Sequence, residues 1–597
     1  MSAMKAILNI RNLILGVLAS LVFGVAAIAP APVLADNHYI KPGKSLSGNY
    51  LAGRHAQARR DLSAAADFLG AALKQSPDVP NLLRRTFILM AAEGRINEAA
   101  ILARRLIEAK AKAPVADLTL ALVDINKGHF AAAEARLKGM PADGLSGFVS
   151  PVLRAWSLIG MKKNRQALKL LATTAPKTTD DKKPENKEKN KDKATQVLHA
   201  LHAALMNELL GRNAEAEKLY LSVNDNPDNR SLRVVQLLGA LYERTGRPEK
   251  AQALYDGYLK ARPGSQFLDE ALKRLKSGKR GSLKTYSVRD GAAEVLFGIA
   301  GSLRQRNLQE TAMVLGRLAL YLKPHFPAMQ ILLGDTMENA NRLEPALSIY
   351  SSIERKSSFS WPARLRVASV LNRLERTEDA VTHLNRMAGD RKTDPAPLIS
   401  LGDILRGHER FEEAAKAYDK ALARIKNPEP RHWTLFYARG IAFERSKQWP
   451  RAEADFLSAL KFKPEQPYVL NYLGYSWIDK GLYLERAQGM IAKAAELRPN
   501  DGYIVDSLGW VHYRLGRYDD AARELERAVE LRPEDPIIND HLGDAYWRVG
   551  RKREAAFQWN RSLTLNPEKD LISVINRKLK IGLGDDNETA KKPGDDG

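Results

Sequence analysis

The sequence has no cysteine among its 597 residues. This absence excludes disulfide bonds, thiolate metal sites and cysteine nucleophiles. It also excludes a lipid anchor on a cysteine at a mature N-terminus. Two catalytic patterns are absent as well, the His-Glu-x-x-His zinc motif and the Gly-x-Ser-x-Gly nucleophile elbow. A binding or structural role therefore takes precedence over an enzymatic one.

Acidic residues are in the minority. Lys and Arg total 93, Asp and Glu total 70, and the formal net charge is +23. A basic chain can meet nucleic acid, anionic membranes or glycans. Here the basic residues are dispersed and form no dominant block, which is typical of solvated helix faces. The sequence predicts no nucleic-acid partner and, at most, weak contact with an anionic membrane or glycan.

One long apolar run occurs, and it lies close to the N-terminus. Basic residues precede it, and it extends without a charge over residues 13–29. Val33 and Ala35 then fit the small-residue positions that a signal peptidase reads. The pattern predicts a signal peptide over residues 1–35, cleaved after Ala35, and export of the mature chain. The alternative is an uncleaved inner-membrane anchor over residues 13–31, although the run is at the short edge for a bilayer span.

Alanine recurs at a fixed period. The alanines of three series are spaced by 34 residues: Ala65, Ala99, Ala133 and Ala167; Ala312, Ala346, Ala380 and Ala414; and Ala487, Ala521 and Ala555. Proline follows many of these alanines by twelve residues, and glycine or asparagine precedes many of them by five. A small residue, such as Gly509 or Gly543, precedes them by twelve. A 34-residue unit of two helices is similar to the tetratricopeptide repeat.

Each recurring residue has a physical reason. The small residue on the first helix and the alanine on the second allow the two helices to approach to about 8–10 Å. The glycine or asparagine takes the left-handed conformation that ends the first helix. The proline cannot continue the second helix, so it sets the next boundary. Because a single unit cannot bury its apolar face alone, neighbouring units must stack.

The predicted fold is all-α, a right-handed superhelical solenoid of about fourteen helix-turn-helix repeats in two arrays. The alanine spacing widens twice, where we place a disordered, lysine-rich loop and an extra helix followed by a hinge near Gly278. The predicted parts are an N-terminal array over residues 46–265 with the loop at 176–193, the extra helix and hinge at 266–290, a C-terminal array over 291–569, a capping helix at 570–581 and a disordered tail at 582–597.

His199 and His202 are three residues apart on one predicted helix, a spacing that could hold a metal ion. No third ligand is in view, so we interpret them as ordinary repeat-surface residues. No segment outside the repeats is long enough for a catalytic domain. The sequence therefore predicts no enzyme activity, no catalytic residue, no metal site and no cofactor.

In a tetratricopeptide superhelix the first helix of each unit lines a concave groove. In the last three repeats the inward positions form a band of aromatic, amide and charged residues: Tyr468, Asn471, Tyr472, Tyr475, Asp506, Trp510, Tyr513, Arg514, Asp540, Asp544, Trp547 and Arg548. Aromatic and arginine side chains dominate binding energy at protein interfaces, so we predict that this band binds a partner. The alternative is packing between repeats, because Trp and Tyr also fill helix seams.

The inner positions of the N-terminal repeats are apolar instead. They include Leu118, Leu122, Ile125, Val152, Trp156, Leu198, Leu201 and Leu205. A groove of this character either packs on itself or covers an amphipathic partner helix.

Three short blocks resemble a more particular group of proteins. They are Asn471-Tyr-Leu-Gly-Tyr-Ser-Trp-Ile-Asp479, Asp506-Ser-Leu-Gly-Trp510 and His541-Leu-Gly-Asp544. They are similar to tetratricopeptide-repeat proteins of the proteobacterial envelope, among which are outer-membrane lipoprotein adaptors that bind and activate a periplasmic C-terminal-processing protease. The resemblance implies a periplasmic adaptor or assembly scaffold. Those adaptors carry a lipid on a cysteine, which this chain lacks.

Two functional hypotheses result. The first is a periplasmic scaffold or adaptor that binds a peptide or partner protein in the concave groove, with a periplasmic protease or an envelope assembly factor as the partner. The alternative is a structural component of a polysaccharide or lipid export system. That alternative predicts affinity for anionic glycan or membrane, whereas the first predicts a stoichiometric protein partner.

Overall fold

The structure is a computed structural model, which describes residues 41–111, 113–174, 186–223, 231–278 and 286–584. Over these residues it contains 30 α-helices and no β-strand. The predicted all-α class is therefore confirmed. The signal peptide over residues 1–35, the alternative anchor at 13–31 and most of the predicted tail lie outside the described residues. Among the described residues, no helix is both long enough and apolar enough to cross a lipid bilayer.

Over the described residues, the chain divides into two compact units, one ending at Leu384 and one beginning at Asn385. The helices of the first unit are α1 (Leu46–Ala58), α2 (Leu62–Gln75), α3 (Pro80–Ala92), α4 (Ile96–Glu108), α5 (Pro114–Lys127), α6 (Phe130–Lys138), α7 (Gly144–Gly160), α8 (Asn164–Thr174), α9 (Asn186–Leu209), α10 (Asn213–Ser222), α11 (Leu232–Arg244), α12 (Pro248–Ala261), α13 (Asp269–Lys276), α14 (Val288–Gln305), α15 (Gln309–Leu322), α16 (Pro327–Asn339), α17 (Leu343–Ser351) and α18 (Ser360–Arg373). Helix α19 (Thr377–Asp390) contains the boundary.

The second unit continues with α20 (Ala396–Gly407), α21 (Phe411–Ala423), α22 (Trp433–Arg445), α23 (Trp449–Phe462), α24 (Pro467–Asp479), α25 (Leu484–Leu497), α26 (Gly502–Arg514), α27 (Tyr518–Leu531), α28 (Pro536–Arg548), α29 (Lys552–Thr564) and α30 (Lys569–Ile581). Fourteen helix pairs follow one another along the chain, from α1 and α2 to α28 and α29, as the repeat count predicts. Helices α13 and α30 stand outside the pairs.

The two helices of a pair meet where a small residue of the first receives a large side chain of the second. A Cβ atom added to Gly334 would lie 2.4 Å from the Tyr350 ring, and one added to Gly543 would lie 2.5 Å from the Trp559 ring. Both rings belong to residues four positions after the repeat alanine. The close approach that the small residues predict is therefore a contact between an aromatic ring and a glycine, and not only the proximity of two helix backbones.

The apolar inner face of the first unit is covered by the chain itself. Helix α14 packs against α5, α7 and α9. Gly291 of α14 lies against the fully buried Trp156, so closely that an added Cβ atom would lie 2.2 Å from the ring. Of the eight inner residues named above, only Leu201 is not fully buried. The structure therefore shows the self-packing alternative, in which the chain covers its own apolar face.

Polar contacts also hold α15 against the earlier helices of the first unit. Arg317 Nε donates to the Ala92 carbonyl at 3.2 Å, and Arg85 forms an ion pair with Glu310 at 2.7 Å. Helix α15 also packs against α3, α4 and α5. Because α14 and α15 belong to the same compact unit as the six pairs before them, the predicted division at residues 266–290 differs from the division after residue 384.

The predicted disordered loop at residues 176–193 needs a correction. Helix α9 begins at Asn186, so the last eight residues of that segment are helical. Lysine and glutamate are good helix formers, and they extend a helix whose later turns are buried. Residues 176–185 lie outside the described part of the chain.

The two histidines of α9 also differ from their interpretation as surface residues. His202 is fully buried and His199 nearly so. Trp156 Nε1 donates to His202 Nδ1 at 3.1 Å. Burial lowers the pKa of His202 to about 3, and it also lowers the pKa of His199. No group of three or more His, Asp or Glu residues in the described chain is arranged to hold a metal ion.

The buried His202 predicts acid sensitivity of the first unit. Below pH 6.5 the unfolded chain protonates this histidine while the folded chain does not, so the free energy of unfolding falls by about 1.4 kcal/mol per pH unit for one proton. We expect His202→Gln to remove a slope of that size between pH 6 and pH 4, measured by urea unfolding. An identical slope in wild type and variant would contradict this.

The glycine contacts predict a matched pair of opposite effects. Gly543→Ala forces a methyl group into the Trp559 ring and should lower the free energy of unfolding by about 1–3 kcal/mol. Gly489→Ala, in α25, meets nothing within 4 Å and should raise it by about 0.5–1 kcal/mol. Urea unfolding measures both. A Gly543→Ala variant as stable as wild type would show that the ring contact does not hold the pair together.

Candidate partner-binding site

Three first helices carry the predicted band: α24, α26 and α28. Each begins at a defined cap, because Gln466, Asp501 and Asp535 accept hydrogen bonds from backbone N–H groups of the first turn. Helix α26 packs against both α24 and α28. The three helices therefore hold the band in one layer, side by side.

The structure divides the twelve predicted residues equally. Buried are Asn471, Tyr472, Tyr475, Asp506, Asp540 and Asp544; partly or fully exposed are Tyr468, Trp510, Tyr513, Arg514, Trp547 and Arg548. The buried six cannot all meet a partner directly.

Tyr472 serves packing between repeats. Its ring meets Tyr437 edge-on at 6.0 Å and Phe456 at 5.1 Å, and its hydroxyl donates to Glu444 at 3.3 Å. Tyr475, one turn further along α24, is only 6% exposed. Burial raises the pKa of Tyr475 above its ordinary value, and the nearby charge of Asp506 adds to the rise.

A row of buried polar residues runs across the three helices, and each member lies three residues before the repeat glycine of its helix. Its members are Asn471, Asp506 and Asp540, whereas earlier pairs carry Ile331 and Ile399 at the same position. In the described part of the chain, Asn471 Oδ1 is buried and has no hydrogen-bond partner. Buried polar groups normally find partners, so this oxygen is an unused acceptor on the inner layer.

Trp510 lies in an aromatic stack. Its ring is 4.0 Å from His541 and 4.8 Å from Tyr513, nearly parallel to both. His541 Nδ1 is 2.9 Å from Asp506 Oδ1. Burial lowers the pKa of His541, but the charges of Asp506, Asp540 and Asp544 and the hydrogen bond to Asp506 together outweigh burial, and the net pKa is raised. His541 was not among the predicted site residues, although it is on α28 beside Asp540.

The acidic residues of α28 are occupied by the last helix. Lys578 of α30 is buried, and its Nζ lies 2.9 and 2.8 Å from the two Asp540 oxygens and 2.7 Å from the Asp544 carboxylate. Asp544 also accepts from Trp559 Nε1 at 2.9 Å. Burial raises the pKa of Asp544 to about 6, against the opposing charge of Lys578.

Lys578 is a further residue of this region that the sequence analysis did not place beside the predicted band. It falls in the apolar stripe of the capping helix, three residues after Ile575 and one before Leu579. A lysine within such a stripe is a signal that it meets a buried carboxylate, because an unpaired buried charge is costly.

What stays open is a smaller surface, which we name the aromatic strip: Trp510, Tyr513, Arg514 and Arg548. Arg548 Nε donates to the Tyr513 hydroxyl at 3.4 Å, and Arg514 is exposed. Burial raises the pKa of Tyr513 to about 12, so its hydroxyl stays protonated at neutral pH. Tyr468 and Trp547 are also accessible, on α24 and on α28. Flat rings beside guanidinium groups can bind polypeptide.

A family model described as a tetratricopeptide repeat matches residues 399–467 and 507–569. These two segments are therefore similar to tetratricopeptide repeats. The second segment contains helix α28 and all four residues of the aromatic strip.

One curated relative is the TPR repeat-containing protein PA4667 of Pseudomonas aeruginosa. It is 28% identical over 196 residues, a match that covers 33% of this chain and 32% of the relative. The chain thus aligns with about a third of that relative's length.

Two solved structures are similar in part. The Cut9 and Hcn1 complex of the APC/C has a TM-score of 0.36 and 14% identity, with 90% of this chain and 96% of that chain covered. YrrB, described as a TPR protein with an unusual peptide-binding site, has a TM-score of 0.27 and 20% identity, with 32% of this chain and 97% of that chain covered.

The stack predicts the titration of His541. Asp506→Asn removes the largest of the carboxylate charges that raise the pKa of His541 and leaves burial in place, so the pKa should fall below its value in the wild-type chain. Nuclear magnetic resonance of histidine-labelled protein measures this. His512, whose pKa burial lowers independently of Asp506, is the internal control. An unmoved His541 titration would show that Asp506 does not govern it.

Proposed function

We propose that this chain is a periplasmic interaction scaffold that binds a partner polypeptide on the aromatic strip. The proposal rests on the stack of Trp510 with Tyr513 and His541. Asp506 contacts His541 and so fixes the stack, and Arg514 and Arg548 lie at its edge. Tryptophan, tyrosine and arginine are the residues that dominate binding energy at protein interfaces. Mediation of protein–protein contacts is what tetratricopeptide repeats provide.

The preorganised stack supports polypeptide binding in particular. Trp510 and Tyr513 are already stacked, so binding orders few additional side chains. Arg514 is exposed beside them, where it can meet a carboxylate or backbone carbonyl of the partner. The chain acts in this proposal by holding its partner and not by catalysis.

The proposed location and partner class come from the first 35 residues and from the envelope resemblance. A signal peptide cleaved after Ala35 would deliver the chain to the periplasm. The blocks around Asn471, Asp506 and His541 are similar to adaptors of a C-terminal-processing protease. We accordingly propose a periplasmic protease or an envelope assembly factor as the partner.

Site-specific photo-crosslinking in living cells tests the proposal. A crosslinker at Arg514 should capture one stoichiometric envelope protein, identified by mass spectrometry. The control places it at Phe557, which is 67% exposed on the second helix α29. Equal capture from both positions, or capture of cytoplasmic proteins alone, would contradict the proposal. Pelleting of the chain with lipid or glycan and no protein partner would favour the export-system alternative.

Once the partner is identified, Trp510→Ala should weaken its binding by about 2 kcal/mol, roughly thirtyfold. Phe557→Ala removes a more exposed aromatic ring from the second helix of a pair and should leave binding unchanged. Isothermal calorimetry gives the affinities, and thermal unfolding shows whether each variant is folded. If Trp510→Ala lowers the melting temperature but not the affinity, the stack is packing and not a binding surface.

A further inference from the structure

We infer that Asp540 and Asp544 form a recognition pocket for a lysine carried on an amphipathic helix, and that α30 is an internal ligand which a partner's helix replaces. The inference deepens the proposed function, on which it rests, by naming the chemistry of one part of the partner. It begins from the three close contacts between Lys578 Nζ and the two carboxylates.

The pocket requires a cation. Asp540 and Asp544 are both about 95% buried, on successive turns of α28, and one ammonium group neutralises only part of their charge. If α30 leaves with nothing in its place, two neighbouring carboxylates remain in a poorly solvated site, which is costly. An apolar or acidic side chain cannot replace Lys578 there. The pocket therefore selects among helices by charge.

Helix α30 is attached by one narrow face. Leu571, Ile575 and Lys578 are buried, at spacings of four and three residues that place them on one side of the helix. Gly582 follows, seated against the Trp547 ring. The flanks of that face expose apolar residues, Ile572, Val574 and Ile581, while Leu579 is partly buried against the same apolar cluster. A 13-residue helix is marginal in water without its docking face, so α30 can detach as a unit while α28 and α29 stay folded.

The pocket is continuous with the aromatic strip. Tyr513 of the strip packs against the same apolar cluster that contains Leu571 and Ile575 of α30. A partner bound on the strip thus reaches the pocket without crossing another repeat. Its helix would carry an apolar residue, a second apolar residue four positions later and a lysine three positions after that, the pattern of Leu571, Ile575 and Lys578.

The experiment uses the full chain and a labelled peptide that copies residues 569–581. Fluorescence anisotropy measures binding to wild type, to Lys578→Gln and to Lys580→Gln, which removes the same charge from an exposed position of α30. We expect the peptide to bind the Lys578→Gln chain at least tenfold more tightly than wild type or Lys580→Gln, because only that variant loses its internal lysine contact. A peptide with glutamine at the position of Lys578 should bind at least tenfold more weakly.

Several results would overturn the inference: no peptide binding to any chain, equal binding of the lysine and glutamine peptides, or equal affinity of the two variant chains. Dimerisation of the Lys578→Gln chain by exchange of α30, seen by light scattering, would also overturn it by making a second copy the occupant. Circular dichroism reports whether the variant is folded.

A second measurement needs no variant. Excess lysine peptide added to wild type should accelerate hydrogen exchange in residues 569–581 of the chain and leave α28 and α29 protected. Unchanged exchange in α30 would overturn the inference. The outcomes separate the two proposals: crosslinking at Arg514 with no peptide displacement contradicts only this inference, and displacement without an envelope partner contradicts only the proposed function.

Discussion

The structure depends on one steric contact repeated along the chain, a large side chain of the second helix seated against a small residue of the first. Tyr350 on Gly334, Tyr418 on Gly402 and Trp559 on Gly543 are instances within single pairs. The contact brings the two helices of a pair together, and the first helices of successive pairs then pack side by side. Because the ring comes from the second helix, the opposite side of the first helix is left to line an inner surface. The candidate site is a consequence of that geometry.

Charged side chains close the repeats in the two places where an unpaired helix follows a pair. Arg274 of α13 donates to Glu243 of α11, while Lys578 of α30 donates to Asp540 and Asp544 of α28. In each case an aromatic residue of the intervening helix also donates to the carboxylate, Tyr255 to Glu243 and Trp559 to Asp544. An unpaired helix thus adds more than an apolar cover. It neutralises a carboxylate that the repeat has buried.

The sequence predicts what is local and periodic. The alanine, glycine and proline spacing predicts fourteen pairs and their order, because each pair is formed within about 34 residues. The packing of α14 and α15 onto α3, α4, α5, α7 and α9 has no periodic signal in the sequence, because it joins residues such as Arg317 and Ala92 that are 225 positions apart. In the site, the aromatic band is visible in the sequence, but its division into buried and exposed halves is not. Tyr472 and Trp510 both occupy first helices, and only their neighbours in space separate a packing ring from an accessible one.

The ion pairs of α28 are informative because stability does not require them. Replacing a buried charged group of this kind by apolar residues of similar volume is often neutral or stabilising, so Asp540, Asp544 and Lys578 are weak candidates for holding the array together. Earlier pairs place isoleucine where Asp540 lies and still stack. The two carboxylates make this site selective, because any helix that occupies it must carry a cationic side chain long enough to reach them. An array that needed only a cover for this pair could have used apolar residues at 540, 544 and 578 together. The lysine with its two carboxylates makes the cover specific, and a specific contact is one that a competing helix can match.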